Sequence, residues 1–348
     1  MVFVFINADA KVHNKIYISK QKQRYIRVNF GYFKEFMYFC SREEYHFMKP
    51  TQNKNSESKC TEFALTSKGQ STYTGDEKSE ITRINRQNQY LNRIASKYLD
   101  DIFCHYENPV VLDIGCADGE NILTRLEGRK YHSLLGIDKN KKKVETANIL
   151  HKGKNNMFLC CDISTNELHK TLSGYLSKID KNGFDIIHIS SVLLHIENPD
   201  IFLRDIRQYL CDNGCVFIQD EDDGMNHVFP YEESFEDCFY IWEHSIESGD
   251  RHMGRKIPYY LLSNNYSSIN ILSTSITSTD FNGEMKDCLW DLYFNCEFWV
   301  ANDASFYNKA DAYERLLKYK KKYPQLKDAY MNGHFFIMLG ILFIVAKK

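Results

Sequence analysis

The 348-residue sequence predicts an α/β fold: a doubly wound, mostly parallel sheet preceded by a small N-terminal α+β extension. Two observations predict it. From residue 110 onward, short apolar runs alternate with polar, helix-competent stretches, and the first run ends in an acid followed by a glycine-containing turn. Such alternation argues for a parallel sheet covered by helices on both faces. The bulk composition agrees: 43% hydrophobic and 26% charged residues supply one large core with room for a small second unit.

In chain order, residues 1–49 are dense in aromatic and β-branched residues. Runs such as Lys15–Ser19 and Arg24–Phe30 suggest a short hairpin or meander, followed by a helix near Tyr32–Met48. Residues 50–75 are polar and nearly free of apolar periodicity, which reads as a linker or flap. The main domain then occupies 76–348. Ile81, Ile84, Leu91, Ile94, Tyr98 and Ile102 have helical spacing. Strands are expected at Val110–Ile114, Ser133–Ile137, Met157–Cys161, Phe184–Ser190 and Cys215–Gln219. The last third adds a strand at Ile269–Ser275, helices at Met285–Phe298 and Ala310–Tyr319, and a final apolar strand at Phe335–Ala346. Twelve apolar residues are too few for a membrane helix, which needs about 20.

A net charge of -2 offers no broad basic surface for nucleic acid or anionic lipid. The eleven cysteines are scattered, odd in number and lack a C-x-x-C pair, so they read as mostly reduced, buried thiols of a cytoplasmic protein. The opening MVFVFINADA has no basic start and no long apolar core, unlike a secretory signal.

The chemistry gathers at strand ends. The segment Val110-Val111-Leu112-Asp113-Ile114-Gly115-Cys116-Ala117-Asp118-Gly119 joins a buried strand to a helix through a tight turn, where small residues let the backbone approach a ligand. It resembles the first motif of class I S-adenosylmethionine-dependent methyltransferases, with Ala117 in place of the family's middle glycine. A nicotinamide or flavin fold would place glycines at 115, 117 and 120; here 117 is Ala and 120 is Glu, a carboxylate where a pyrophosphate would sit.

The resemblance implies a seven-stranded sheet with the last strand inserted antiparallel and the helices of 276–330 capping its substrate edge. It also implies a donor site built from Asp113, Gly115, Cys116, Ala117 and Gly119, from Asp138 and Lys139 after the second strand (ribose hydroxyls), and from Asp162 and Ile163 after the third (adenine). Ser190 at the end of the fourth strand belongs to the same set. On the N-terminal helix, Arg83 or Gln87 would reach the donor's carboxylate, although a surface polar stripe explains them more simply.

His195, beyond the fourth strand, is a candidate general base or a merely positioned histidine. That segment lacks an Asn-Pro-Pro-Tyr-type sequence, which lowers the nucleic-acid reading. Asp220 and Asp222, in the acidic run after the fifth strand, and Trp242, Arg251 and Arg255 beyond it are candidate acceptor-binding residues. A solvated acidic loop and local salt bridges are the competing explanations. No His/Cys/carboxylate spacing supports a metal.

The sequence thus points to methyl transfer from S-adenosylmethionine to nitrogen or oxygen of a small-molecule acceptor. The alternatives are a non-catalytic donor-binding regulator, or a methyltransferase of protein or RNA that docks through residues 1–49. A homodimer completed by that unit is a further arrangement.

Overall fold

The computed structural model describes residues 77–151, 153, 155–244, 249–280, 283–295 and 310–348, with the side chains of 77–87, 284–285, 288, 291–292 and 310 left aside. The expected hairpin, helix and linker of residues 1–75 lie outside the described residues.

The elements are α1 (Glu77–Phe103), β1 (Val110–Ile114), α2 (Glu120–Leu126), β2 (Ser133–Asp138), α3 (Lys141–Leu150), β3 (Asn156–Cys160), α4 (Glu167–Lys178), β4 (Phe184–Ser190), α5 (Pro199–Arg207), β5 (Leu210–Glu221), β6 (His227–Phe229), α6 (Glu233–His244), α7 (Met253–Ser263), β7 (Ser267–Thr277), α8 (Gly283–Tyr293), α9 (Ala310–Met331) and β8 (Phe336–Lys347).

Strands β3, β2, β1, β4 and β5 are neighbours in that order and all parallel. The final strand β8 lies antiparallel to β5, with Cys215 opposite Lys347 and Glu221 opposite Ile341. Because the same stretch of β8 also pairs with β7, the latter forms the far edge and runs parallel to the first five. This is the expected seven-stranded arrangement. An eighth strand, the three-residue β6, pairs with the start of β8 in line with β5.

The order places the carboxyl ends of β1 and β4 side by side with β2 beyond β1, so a ligand crevice opens where the connections leave in opposite directions. Local sequence supports the elements: Pro199 starts α5, where a missing N–H costs nothing, and the Asn140 side chain accepts from the Lys143 N–H to cap α3.

Alternation along the strands splits the core into two layers. Val111, Ile186 and Phe217 face one layer, with Leu91, Leu99, Ile122, Trp290 and Tyr330 from the helices. Leu112, Ile187 and Ile218 face the other, with Leu172, Leu203 and Ile257. The buried residues Leu91, Ala95, Leu99 and Ile102 are spaced by three and four, so one stripe of α1 lies on the sheet, and Tyr98 stacks on Phe343 with ring centroids 5.9 Å apart.

One boundary moves substantially. The last helix was expected to end near Tyr319, before the lysine run and Pro324, yet α9 continues to Met331 with Pro324 inside it. Tyr319, Leu326 and Tyr330 are all buried, and this continued apolar face holds the helix together across the proline. The lysines at 318 and 320–322 form its solvated side.

Phe217 is fully buried and stacks against Tyr98 and Phe343, so Phe217→Ala should lower unfolding stability by about 3–5 kcal/mol in urea titration. A loss below about 1 kcal/mol would contradict this packing.

Candidate functional site

The turn after β1 is shaped by close approaches. The N–H groups of Gly115 and Cys116 both donate to the Ile137 carbonyl (2.8 and 3.0 Å), which ties the turn to β2. Gly115 has φ +76°, and a Cβ there would lie 2.3 Å from Val192 Cγ2; Gly119 has φ +80°, with the Phe158 ring 2.8 Å from a Cβ. Neither position admits a side chain without displacement. Between them Ala117 is held left-handed at φ +50°, a strained conformation for a residue with a Cβ, at the point where the resemblance expects glycine.

Asp138 closes this turn. Its carboxylate accepts from the Ala117 N–H (3.0 Å) and the Asn140 N–H (2.7 Å), one on each oxygen, which fixes its orientation and leaves acceptor capacity on both oxygens. Asp162, after β3, accepts from the Ser164 N–H and hydroxyl (2.9 and 2.7 Å), and these bonds hold its pKa below the ordinary carboxylate value. Ile163 is half-buried beside it, Lys139 is exposed, and Ser190 ends β4 half-buried. Cys116 is buried, and burial pushes its thiol pKa up. Arg83 and Gln87 belong to α1, but their side chains lie outside those described.

The side chain of Asp113 is buried and meets His188 Nδ1 at 2.5 Å. On the other side of that ring, Arg125 Nη1 lies 2.6 Å from Nε2. A guanidinium only donates, so Nε2 must accept and the ring proton sits on Nδ1, donating to Asp113. Arg125 also donates to Gln219 Oε1 and, through Nε, to Asn92 Oδ1 (2.7 Å). The chain therefore ties α1, α2, β1, β4 and β5 together beneath the edge. Burial lowers the His188 pKa, while Asp113 raises it and Arg125 lowers it. Burial pulls Arg125 down only to about 10, so it stays charged and balances Asp113.

The candidate acceptor residues lie beyond β4 and β5. His195 is exposed to solvent, although protein packs closely around its ring. That desolvation lowers its pKa; Glu221 opposes the shift and Arg251 and Lys139 add to it. Its position is held by the bond from the Asp250 N–H to the Leu194 carbonyl (2.7 Å).

The two arginines do not present free guanidinium groups. Arg251 makes a bidentate pair with Asp223, both bonds 2.9 Å, and lies over the Trp242 ring at 5.3 Å. Burial disfavours the Arg251 charge, but Asp223 more than offsets it and the pKa ends above normal. Arg255 likewise grips Asp222, which raises its pKa.

Glu221 belongs to the acidic run that the sequence offered for a substrate amine or a hard metal ion, without being singled out from it. Glu221 is buried (7% exposed) and lines a narrow recess together with Asp223, Trp242, Arg251, Tyr293 and Gly340. Its Oε1 accepts from the Ser191 hydroxyl (3.0 Å). Asp220 beside it is fully buried, and burial followed by the Glu221 charge drives its pKa well above the carboxylate range. Strand alternation carried no signal for Glu221, because both faces are buried at the end of β5.

Residues 112–216 match a family described as a methyltransferase domain. Over 112 residues the chain is 31% identical to a ubiquinone biosynthesis O-methyltransferase of Pelagibacter ubique, an alignment covering 32% of this chain and 42% of that relative. The chain thus spans less than half the length of the relative it matches. Among solved structures, the plantazolicin methyltransferase BamL in complex with a triazolic desmethylPZN analogue and S-adenosylhomocysteine aligns at 17% identity and TM-score 0.42, covering 79% of this chain and 92% of that one. A phosphoethanolamine N-methyltransferase of Haemonchus contortus aligns at 15% identity and TM-score 0.40, covering 69% and 49%. The matched segment runs from β1 into β5 and contains the turn, Asp138, Asp162 and His195. The chain carries a methyltransferase domain of the class I type. The cofactor of that class is S-adenosylmethionine.

Two outcomes test the buried chain. Arg125→Met should cost about 3–5 kcal/mol in urea unfolding, because it leaves Asp113 as an unbalanced buried charge. His188 binds its proton less readily folded than unfolded, so its contribution is complete above its unfolded pKa of about 6.5 and declines as pH falls below that value. The urea midpoint should fall from pH 7 to pH 5, and more shallowly in His188→Asn; equal slopes would remove His188 from the account.

Proposed function

We propose that the chain transfers a methyl group from S-adenosylmethionine to nitrogen or oxygen of a small-molecule acceptor. The observation that carries this reading is the alignment, along one sheet edge, of the Gly115–Gly119 turn, Asp138 and Asp162 opposite a buried acidic recess at the end of β5.

The donor side fits the cofactor. The turn brings backbone close enough for the amino-acid part, Asp138 keeps acceptor capacity on both oxygens for the ribose hydroxyls, and Asp162 with Ile163 flanks the adenine position. Cys116, Ala117 and Lys139 border the same pocket, and Arg83 or Gln87 of α1 would reach its carboxylate end. Asp113 acts from below, through the buried chain that holds β1 against β4. The absence of glycine at 120 and the presence of Glu120 at the start of α2 favour a sulfonium cofactor over a pyrophosphate.

The cofactor supplies a methyl carbon on a cationic sulfur. The turn, Asp138 and Asp162 would hold that group in line with the acceptor, and a hydroxyl or amine acceptor would need a base to take its proton. The protein's work is alignment and exclusion of water. His195, kept neutral by its lowered pKa, is the base candidate nearest this edge. Arg251, salt-bridged to Asp223, lines the recess with Trp242, whereas Asp220, Asp222 and Arg255 are not among its lining residues.

Isothermal titration should show binding of S-adenosylmethionine and S-adenosylhomocysteine and none of NAD; NAD binding alone would overturn the reading. Asp138→Ala should weaken S-adenosylhomocysteine binding about tenfold or more, through loss of hydrogen bonds to a charged group. Unchanged affinity would reject the ribose assignment.

A further inference from the structure

We propose that Ser191 is a positioning residue for the donor turn, an inference that rests on the methyl-transfer reading above. Its left-handed backbone seats Val192 against Gly115 and so sets the crevice for the amino-acid part of S-adenosylmethionine. Among the described residues, Ala117, Asp180, Ser191, Asn265 and Ser268 are the non-glycine residues with positive φ. Three of them have local causes. Asp180 and Asn265 follow the ends of α4 and α7, where the next N–H returns to a helix carbonyl (Lys181 to Leu176 and Tyr266 to Leu261, both 3.0 Å), a common left-handed helix stop. Ser268 lies in the register shift between β7 and β8. Ala117 and Ser191 remain, and they stand just past the carboxyl ends of two adjacent strands, β1 and β4.

Ser191 is held in this conformation by β5. Its N–H donates to the Gln219 carbonyl (2.8 Å) and its hydroxyl to Glu221 Oε1 (3.0 Å). A residue with a Cβ resists φ +50°, and such strain persists only where surrounding bonds over-determine it. The consequence falls on Val192. Its carbonyl accepts from the His195 N–H (2.9 Å), and its side chain covers Gly115 so closely that a Cβ on that glycine would lie 2.3 Å from Val192 Cγ2. Gly115 is tied to β2 through the Ile137 carbonyl. The turn is thus gripped between β2 and the segment after β4. The grip on the β4 side depends on the direction in which Ser191 sends the chain, because extended or right-handed backbone at 191 would carry Val192 away from Gly115.

A ligand that approaches the backbone itself needs the turn at a fixed depth. Where the competent conformation is only fractionally populated, apparent affinity falls by that fraction. Glycine adopts φ +50° freely, alanine is strained there by its Cβ, and a β-branched residue is nearly excluded.

The test titrates S-adenosylhomocysteine calorimetrically into full-length wild type, Ser191→Gly, Ser191→Ala, Ser191→Val and Val192→Ala, each checked for folding by circular dichroism and urea unfolding. Affinity should follow tolerance of the left-handed conformation. Ser191→Gly, the variant that keeps the conformation, should bind within about twofold of wild type, Ser191→Ala about tenfold more weakly, and Ser191→Val more weakly still. Val192→Ala, which removes the contact and not the conformation, should also weaken binding severalfold. A merely structural role would lower the urea midpoints and leave the affinity of each folded variant unchanged. Equal affinities across the Ser191 series, Ser191→Gly as weak as Ser191→Ala, or undiminished binding by Val192→Ala would overturn the proposal. Should Ser191→Val not fold, glycine against alanine decides. Should wild type itself fail to bind S-adenosylhomocysteine, the methyl-transfer reading falls and the proposal with it, whereas wild-type binding that no variant weakens removes the proposal alone.

Discussion

Everything at the candidate site hangs from the buried line Asp113–His188–Arg125–Gln219. Three of these side chains sit on adjacent strands β1, β4 and β5, and the fourth rises from α2, the helix that follows the turn. A buried arginine is tolerable here only because Asp113 balances it through a neutral imidazole that can donate at one nitrogen and accept at the other. The geometry admits one tautomer and one order of residues, so it specifies how the strands meet. Asn92 extends the same bonding to α1. The turn of Gly115–Gly119 is therefore fixed from below by charge and from beside by the Ile137 carbonyl and Asp138.

Above that foundation the two halves of the edge are built differently. The half proposed for the donor is mainly backbone: tight turn, strained Ala117, and carboxylates oriented by backbone N–H groups. The half proposed for the acceptor is made of side chains, with acids at the end of β5 and the basic residues that follow α6 locked into ion pairs.

Much of the fold was legible. The five acid- or polar-ended strands and the terminal strand stand within a few residues of their apolar runs, because a parallel strand buried on both faces must be continuously apolar. β5 starts earlier than its apolar run, and α9 extends past Pro324, because neighbouring strands and a continued buried face supply what local propensity does not. The places of Asp138 and Asp162 at or just past strand ends were readable from the sequence. Salt bridges from Arg251 and Arg255 to the acidic run were weighed from the sequence, but which acid each takes, Asp223 and Asp222, was not readable, since the partners stand 28 and 33 positions apart. Likewise nothing in the spacing marked His188 or Arg125 as partners of Asp113.

The sequence by itself determined the alternation of strands and helices, the glycine turn and the acids that end successive strands, because periodicity and turn chemistry are local. Only the tertiary structure decided which buried charges neutralise one another. Electrostatic balance depends on distance in space, and along this sheet edge it leaves Arg251 paired with Asp223 and His188 neutral between Asp113 and Arg125.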